Sequence, residues 1–480
     1  MRFRMIYEEI VTELDKRKAL LEEVSDYIWD NPEIAFHEDK AVEKLCGVLE
    51  QEGFEIEKGI AGMDTAFKAV FGQGKPVIGI LGEYDALDGM SQIQDVTKKQ
   101  SDITRQYGHG CGHHALGTGS LGAVIGIKKF LQERQLEGTV IYFGCPAEEG
   151  GSGKCFMAKA GVFAEVDAAL SWHPCDTTGL FSGRTLAVIG VTYRFKGKSA
   201  HAAGMPHIGR SALDAVELMN VGVNFLREHV PQETRMHYSI TNAGGKSPNV
   251  VQADASVFYY LRSPEPDALL DIYNRVCKIA EGAALMTETQ VEVDYHKGVS
   301  SLLPNSVLDS ALFENLQALS LNGYSEEEYR YAARFKSTIE NQQQTLEELM
   351  NADVDVNEIL KHREDDIYNF VKPRPAKDCL MFGSTDVGDV SRICPTSQIH
   401  AATWAAGTQM HTWQAVAQGK SSLMHKGILY AAKILACTAA DMFLHPEIIS
   451  NAKKELEVKS SRQKYISLMP EDAKPQIDRE

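Results

Sequence analysis

The sequence predicts an α/β protein in which a mostly parallel sheet is covered by helices and a smaller ferredoxin-like domain is inserted. Three observations predict this class. Short apolar runs, each the length of one buried strand, alternate with helical patterns in the N-terminal part of the chain. Residues 186–296 then change to the order β-α-β-β-α-β, the split βαβ pattern. A length of 480 residues is enough for two or three domains.

The elements before residue 186 follow from apolar periodicity and from flanking Pro and Gly residues. The run Val77–Leu81, for example, lies between Pro76 and Gly82, and its length fits a buried strand. We predict helices over 6–30, 40–51 and 116–130, and buried strands over 77–81, 139–143 and 168–172.

The inserted domain is predicted to occupy 186–297, between a first part of the main domain at 1–185 and a second part at 298–480. The stretch 311–370 is rich in Glu, Gln and Asn, and we expect solvent-facing helices with a flexible acidic link there. The polar tail 450–480 is expected to be frayed. Within the insertion we predict strands over 186–195, 236–242, 256–262 and 290–296, and helices over 209–228 and 267–284.

The charge of the chain limits its partners. The net charge is −17 and the pI is about 5.4. Nucleic-acid binding requires basic patches, so a nucleic-acid partner is not expected. An anionic substrate would need a local cluster of Arg or Lys, because the overall field repels it.

Cysteine usage and hydropathy indicate the compartment. Nine cysteines at irregular spacing, without a Cys-x-x-Cys motif, fit reduced thiols better than a disulfide framework. The first nine residues lack the apolar stretch of a signal peptide, and no apolar run approaches membrane-spanning length. We therefore expect a cytoplasmic protein with no membrane partner.

The run His-Gly-Cys-Gly-His-His at 109–114 is the strongest candidate metal site. Cys111 and His113 are two residues apart, so both can point at one ion in an extended or tightly turned backbone. Thiolate and imidazole are ligands of zinc and similar metals, and glycines let the chain bend around the ion. The alternative is a Gly-rich helix start with incidental histidines.

Further candidate groups follow the predicted buried strands. Glu83 and Asp85 follow the first strand, Glu148 and Glu149 the second, and His173 the third. Sites in open α/β sheets form beyond the carboxyl ends of the strands, so these segments are expected to meet at one edge. One glutamate could bind a metal while its neighbour takes a proton from a metal-bound water.

Each of these groups also has a simpler interpretation. Glu148 and Glu149 could form a solvated acidic turn. His173 could be an ordinary hydrogen-bonded histidine at the end of a strand. Asp85 could be a helix N-cap rather than a group that orients a ligand imidazole. His411, taken alone, reads as a surface histidine. His201 and Asn249 lie in polar loops of the insertion that could bind a substrate carbonyl or carboxylate, or be ordinary loops.

Taken together, these motifs resemble the aminoacylase/carboxypeptidase family of dinuclear metallohydrolases. The similarity is to the branch that uses a cysteine metal ligand and includes amidohydrolases of N-acyl amino acids. It covers nearly the whole chain and weakens in 311–375 and in the tail. The motifs are Gly-x-x-Asp-Ala-Leu at 82–87, His-Gly-Cys-Gly-His at 109–113, Pro-x-Glu-Glu-Gly-Gly at 146–151, Trp-His-Pro at 172–174, Gly-x-x-Ala-His-Ala-Ala at 197–203, Asn-Val-Val at 249–251 and the late His411.

The resemblance implies two divalent metal ions per subunit, Mn²⁺ or Zn²⁺, with Cys111 bridging them as a thiolate. His113 and Glu149 would complete one site, and His173 and His411 the other. The chain departs from the family at position 114, where this branch has Asp or Asn and this sequence has His114.

The resemblance also implies roles in catalysis and substrate binding. Glu148 would be the general base and acid, with Asp85 supporting the ligands from behind. His201 would reach from the inserted domain, acting as a lid and dimerisation domain, into the active site of a partner subunit and polarise the scissile carbonyl. Asn249 and Arg262 would hold the carboxylate side of the substrate.

The implied reaction is hydrolysis of an N-acyl amino acid, with p-aminobenzoyl-glutamate as the expected substrate. The protein would be a homodimer or would form a hetero-oligomer with a related subunit. Three alternatives stay open: an aminoacylase or carboxypeptidase/dipeptidase acting on other acyl amino acids, a non-catalytic partner subunit of a hetero-oligomeric hydrolase, and a redox-sensing thiol protein.

Overall fold

The computed structural model describes residues 7–181, 183–340, 360–374, 380–461 and 464–475. Two sheets organise this part of the chain. The larger has seven strands in the order β1-β2-β4-β3-β5-β11-β6. Its strands are β1 Glu55–Lys58, β2 Phe67–Gln73, β3 Val77–Glu83, β4 Gly138–Cys145, β5 Ala168–Cys175, β6 Gly179–Leu180 and β11 Thr396–Ala402.

The four central strands β4, β3, β5 and β11 run parallel, and the outer strands β1, β2 and β6 pair antiparallel. The mostly parallel main sheet predicted from the sequence is confirmed. The sequence missed β11 because Ser397, Gln398 and His400 interrupt its apolar character, although every residue of the strand is buried. Its burial comes from a central place in the sheet rather than from composition.

Helices cover both faces of this sheet. One hydrophobic core lies between the sheet and α1 Glu8–Lys16, α2 Lys18–Asp30, α3 Asp39–Gln51, α4 His113–Arg134, α8 Ser306–Ala318, α12 Ser422–Leu444 and α13 Pro446–Ser460. A second core on the opposite face includes α5 Gly153–Lys159 and α10 Val387–Ser391. Two further helices, α9 Glu326–Lys336 and α11 Trp413–Ala417, contribute to a smaller buried cluster that includes Phe335 and Ala417.

Helix α12 is long and apolar enough to cross a membrane by length and composition alone. In the structure, 83% of its apolar window is buried against the rest of the molecule, including α4. Such burial is typical of the core helix of a globular domain.

The smaller sheet is antiparallel, with the order β10-β7-β9-β8. Its strands are β7 Ala187–Lys196, β8 Arg235–Asn242, β9 Asp254–Ser263 and β10 Gln290–Val299, and its helices are α6 Ala212–Leu226 and α7 Pro266–Thr287. Both helices pack on one face of the sheet around a separate core, which includes Tyr193, Met219 and Val276. The other face, with Val188 and Tyr260, lines a cavity shared with the main domain. We call this unit the lid; its boundaries at 186 and 297 stay a prediction.

Several sequence expectations differ from the structure. The predicted helix 6–30 is two helices, because the backbone of Arg17 turns to ψ −1° between α1 and α2. The stretch after 311 does not begin as a solvent-facing helix: Leu312 and Leu316 of α8 are buried in the main core. The tail is partly anchored, with α13 reaching Ser460 and Met469 buried. Residues 341–359 of the expected acidic link lie outside the described residues.

Candidate metal centre

Five potential ligands lie at the carboxyl edge of the parallel strands, as the strand-end argument predicts. His173 belongs to the end of β5, Glu149 follows β4, and His411 lies in the loop after β11. Cys111 and His113 come from the turn that leads into α4. We call this edge the ligand edge.

The backbone at the ligand edge takes conformations that few residues adopt. Gly112 has φ +77°, and a Cβ there would meet the ring of Pro174 at 3.0 Å, so only glycine fits between Cys111 and His113. Ala147 and His411 have φ values of +60° and +59°. Positive φ in non-glycine residues costs energy and concentrates at functional sites.

Among the described residues, three groups of possible ligand atoms lie here: one of Glu83, His113 and Glu148, and two that share the thiol of Cys111. Cys111, His113 and His173 have ligand atoms within 4.8 Å of one another, and so do Cys111, Glu149 and His411. Cys111 belongs to both of these groups, and its role as a bridging ligand stays a prediction. The grouping of the other four differs from the expected one, because His113 lies with His173 and Glu149 lies with His411.

Hydrogen bonds leave one nitrogen of each buried histidine ring for an ion. His113 Nδ1 lies 2.8 Å from Asp85 Oδ1, and His173 Nδ1 lies 2.8 Å from the carbonyl oxygen of Pro174. Both Nδ1 atoms can therefore donate, so each Nε2 is the nitrogen that would bind an ion. Burial, and then the neighbouring His113, lowers the pKa of His173 to about 4, which keeps this ring neutral at neutral pH.

The donor set fits a metal ion. Among the described residues, His113 Nε2 and Glu149 Oε1 are buried without a hydrogen-bond partner, although Glu149 Oε1 lies 3.1 Å from His411 Nε2. Cys111 Sγ lies 3.5 Å from His173 Nε2. Buried polar atoms normally have partners, and a metal bound between these atoms would satisfy them. Burial raises the pKa of the Cys111 thiol, and a bound metal would reverse this by stabilising the thiolate.

Asp85 connects the two groups from behind. Its Oδ1 faces His113, and its Oδ2 accepts the backbone N–H of Glu149 at 2.9 Å. One buried carboxylate thus orients one residue of each ligand group. Asp85 is not a helix N-cap, and its role in supporting the ligands stays a prediction that these contacts allow.

Glu148 lines the cavity next to the ligands and is not itself in either of the two groups that contain Cys111. Burial, together with the negative charges of Glu83 and Asp386, raises its pKa well above the usual range of a carboxyl group. A carboxyl group with a raised pKa is suited to accept and return a proton near neutral pH.

A buried charge cluster beside the site was only partly visible in the sequence. Lys154 Nζ lies 2.7 Å from Glu83 Oε1 and 2.5 Å from Asp386 Oδ1, and all three side chains are buried. Glu83 Oε2 also lies 3.3 Å from His113 Nε2. The sequence indicates Glu83 at a strand end but gives no role to Lys154 or Asp386. These two residues are more than 200 residues apart in the chain, so their contact could not be predicted.

His114 does not point at the ligand groups. Its Nε2 donates to the carbonyl oxygen of Gly419 at 2.8 Å, and burial lowers its pKa to about 4. The residue that departs from the family pattern therefore attaches the start of α4 to the turn before α12.

The three expected lid residues lie in two places. Arg262 of β9 lines the cavity and donates to Ser384 Oγ at 2.6 Å. His201 and Asn249 are exposed and lie side by side, because His201 forms a β-bridge with Val250. Neither of them is among the residues that line the cavity of their own chain.

Known proteins similar to this chain identify its family. The model of peptidase family M20/M25/M40 matches residues 79–335. The chain is 45% identical to one of the subunits of p-aminobenzoyl-glutamate hydrolase of Escherichia coli (strain K12), over 98% of each chain. It is 26% identical to the Xaa-Arg dipeptidase of Mus musculus, over 95% of this chain and 93% of that protein.

A solved structure shows the same fold. The YXEP protein of Bacillus subtilis, a dinuclear metal binding peptidase from the M20 family, superimposes with a TM-score of 0.53 at 18% identity, covering 89% of this chain and 99% of that chain. The family match and the 45% identical relative together show the family of this chain. The chain belongs to peptidase family M20/M25/M40 and is a metal-dependent amidohydrolase.

Proposed function

We propose that the protein hydrolyses the amide bond of N-acyl amino acids, with p-aminobenzoyl-glutamate as its substrate. The observation that carries the proposal is the shared thiol of Cys111 between two ligand groups, with the spare carboxyl group of Glu148 beside them. The 45% identical relative is named for the hydrolysis of p-aminobenzoyl-glutamate, which supports this choice of substrate.

We assign the metal ligands as Cys111 for both ions, His113 and His173 for one, and Glu149 and His411 for the other. The ions, Zn²⁺ or Mn²⁺, would supply Lewis-acid chemistry and an activated water when bound. A thiolate favours zinc by softness, whereas a carboxylate also suits manganese.

Glu148 moves the proton in this proposal. It accepts a proton from the attacking water and delivers it to the nitrogen of the leaving amine. The pKa raised by burial, Glu83 and Asp386 makes the carboxylate a stronger base. Lys154 balances Glu83 and Asp386, so Glu148 remains the carboxyl group free for this transfer.

A second subunit would complete the site. His201 and Asn249 lie together on the lid outside the cavity, so we propose that they act in the site of a partner, as a carbonyl donor and a carboxylate ligand. Arg262 acts within its own chain. Exposed apolar residues of the lid support this assembly: Leu218, Val221 and Phe225 on α6, and Tyr238 and Ile240 on the edge strand β8.

The partner would be a second copy of this chain or a related subunit. The other named subunit of the same Escherichia coli hydrolase is also similar to this chain, which supports a hetero-oligomer as the alternative. We also propose a cytoplasmic location, supported by the eight free cysteines of the described residues.

The test is turnover by the purified chain alone, loaded with Zn²⁺ or Mn²⁺ and given p-aminobenzoyl conjugates of Glu, Leu and Arg. We expect release of p-aminobenzoate from the Glu conjugate. Glu148→Gln should lower kcat by about 10²–10⁴-fold because the proton carrier is lost, with metal content unchanged. Glu457→Gln, an exposed glutamate of α13, is the matched control.

Two results would contradict the proposal. Near-normal turnover by Glu148→Gln would remove Glu148 from the reaction. No turnover of any conjugate by the metal-loaded chain, with activity only after a related protein chain is added, would favour a partner role.

A further inference from the structure

A group of cationic side chains lies on the lid opposite the ligand edge. A cavity of about 570 Å³ separates Glu148, Glu149 and His411 from the open face of the lid sheet. On that face the lining includes Arg235 of β8, Arg262 of β9 and Lys297 of β10. We call these three side chains the lid wall.

The strand register explains why residues so far apart in sequence form one surface. Arg235 pairs with Arg262 across β8 and β9. In the adjacent row, Tyr260 pairs with Gly190, which pairs with Lys297. A Cβ at Gly190 would meet the Tyr260 ring at 3.0 Å and Cγ of Lys297 at 3.3 Å, so the missing side chain makes room for both.

The ring systems of the cavity hold the lid wall in place. The ammonium of Lys297 lies 5.9 Å from the centre of the Tyr260 ring, and the guanidinium of Arg262 lies 5.4 Å from it. The guanidinium of Arg235 lies 4.8 Å from the ring centre of Phe382 and also donates to the carbonyl oxygens of Gln232 and Thr234. Cation–π contacts orient such side chains without neutralising them.

Within the described part of the chain, the charges of the lid wall have no carboxylate partner. Among the described residues, no carboxylate oxygen lies within the 4.0 Å ion-pair distance of Arg235, Arg262 or Lys297. Two of the three carboxylates that line the same cavity are engaged elsewhere, Asp386 with Lys154 and Glu149 with His411, and the third, Glu148, is the proton carrier of the proposed reaction. Three unpaired cations in a chain of net charge −17 favour an anionic ligand.

We propose that Arg235 and Lys297 form a subsite for a second carboxylate of the amino acid, beside Arg262, which holds the first. This inference rests on the proposed function and narrows it to dicarboxylic amino acids. One carboxylate can be bound by one guanidinium, so three cations exceed the need of a monocarboxylate. A neutral side chain would leave the charges of Arg235 and Lys297 without an anionic partner, and an arginine side chain, as in the name of the murine Xaa-Arg dipeptidase, would be repelled.

The test compares two ligands of nearly equal shape, p-aminobenzoyl-glutamate and p-aminobenzoyl-glutamine. Binding is measured by calorimetry to metal-loaded Glu148→Gln protein, so that no turnover occurs. We expect the glutamate conjugate to bind about 10–100-fold more tightly, as for a charge-assisted hydrogen-bonded pair.

Variants then show which side chains cause the difference in affinity between the glutamate and glutamine conjugates. Lys297→Met and Arg235→Gln, each added to Glu148→Gln, should reduce the ratio at least about fivefold and change binding of the glutamine conjugate less than about twofold. Lys297→Arg should keep the ratio, because the charge is retained. Lys278→Met removes an exposed lysine from α7, on the helix-covered side of the lid, and should leave the affinity for both conjugates unchanged.

The inference is overturned if the two ligands bind equally, if neither binds, or if the lid-wall variants weaken both in parallel. The failure of the proposed function would look different: the parent enzyme would bind the glutamate conjugate with the expected ratio and not cleave it.

Discussion

The ligand edge and the lid wall hold their charges in opposite ways. At the ligand edge, buried side chains are fixed by one another, as in the contacts of Asp85 with His113 and of Lys154 with Glu83. On the lid wall, Arg235 is exposed and Lys297 is half-buried, and neither has a carboxylate partner among the described residues. The positions of the proposed reacting groups are therefore fixed before the substrate binds, whereas the lid cations gain an anionic partner only when it binds.

This division has a physical reason. Ligand and proton-transfer groups act through short distances, so they require a rigid support of surrounding hydrogen bonds. Charges that select a substrate must exchange water for the ligand, so they remain partly hydrated until it binds. The expected effects of mutation therefore decrease from the ligand edge outwards.

The largest effect is expected from Cys111→Ala, because Cys111 belongs to both ligand groups. Dialysed protein should lose both ions and all turnover, whereas His173→Ala and His411→Ala should each keep about one ion per chain. Elemental analysis of the three variants provides the measurement. Two ions retained by Cys111→Ala would show that the thiol does not bridge.

A smaller effect is expected from Asp85→Asn, which keeps the shape but removes the charge behind His113. Metal affinity should fall about 10–100-fold, as for other residues that orient a ligand imidazole. Competition with a chelator measures it, and Asp64→Asn, an exposed aspartate, is the control. Unchanged affinity would mean that Asp85 does not orient His113 or Glu149.

The smallest effect concerns stability rather than activity. Burial and the nearby charge of Asp85 raise the pKa of Glu38 to about 8 from an ordinary value of 4.5, and Glu38 Oε1 accepts the backbone N–H of Ala147. Above pH 4.5 the unfolded chain releases this proton while the folded protein keeps it. The stability contributed by Glu38 is therefore lost progressively as the pH rises towards about 8.

Glu38→Gln keeps the acceptor and removes the titration, so its Tm relative to wild type should increase as the pH is raised through this window. Thermal melts between pH 5 and 8 test it, with exposed Glu50→Gln as the control. A Tm difference that does not change with pH would show that Glu38 titrates normally.

The sequence predicted the chemistry of the ligand edge better than its geometry. Parallel strands end at one edge, so Asp85, Glu149 and His173 could be placed together from apolar runs alone. His411 follows a strand with polar residues that was missed, and only the family resemblance identified it. The grouping of ligands depends on side-chain directions at Gly112 and at residues with positive φ, which strand positions do not determine.

The lid wall could not be predicted from the sequence, for a different reason. The lid elements were found from alternation and turn residues, yet Arg235 and Lys297 meet only through a strand register that crosses the whole lid sheet. That they lack carboxylate partners among the described residues is a property of the folded surface. The expectation of a local cationic cluster for an anionic substrate could be stated from the net charge, but its residues could not.

X-ray diffraction from crystals of the metal-loaded protein, recorded on both sides of the absorption edge of the metal, tests the shared-thiol site most directly. We expect two anomalous peaks flanking Cys111 Sγ, one beside His113 and His173 and the other beside Glu149 and His411. A single peak, or two peaks of which only one contacts Cys111, would contradict it.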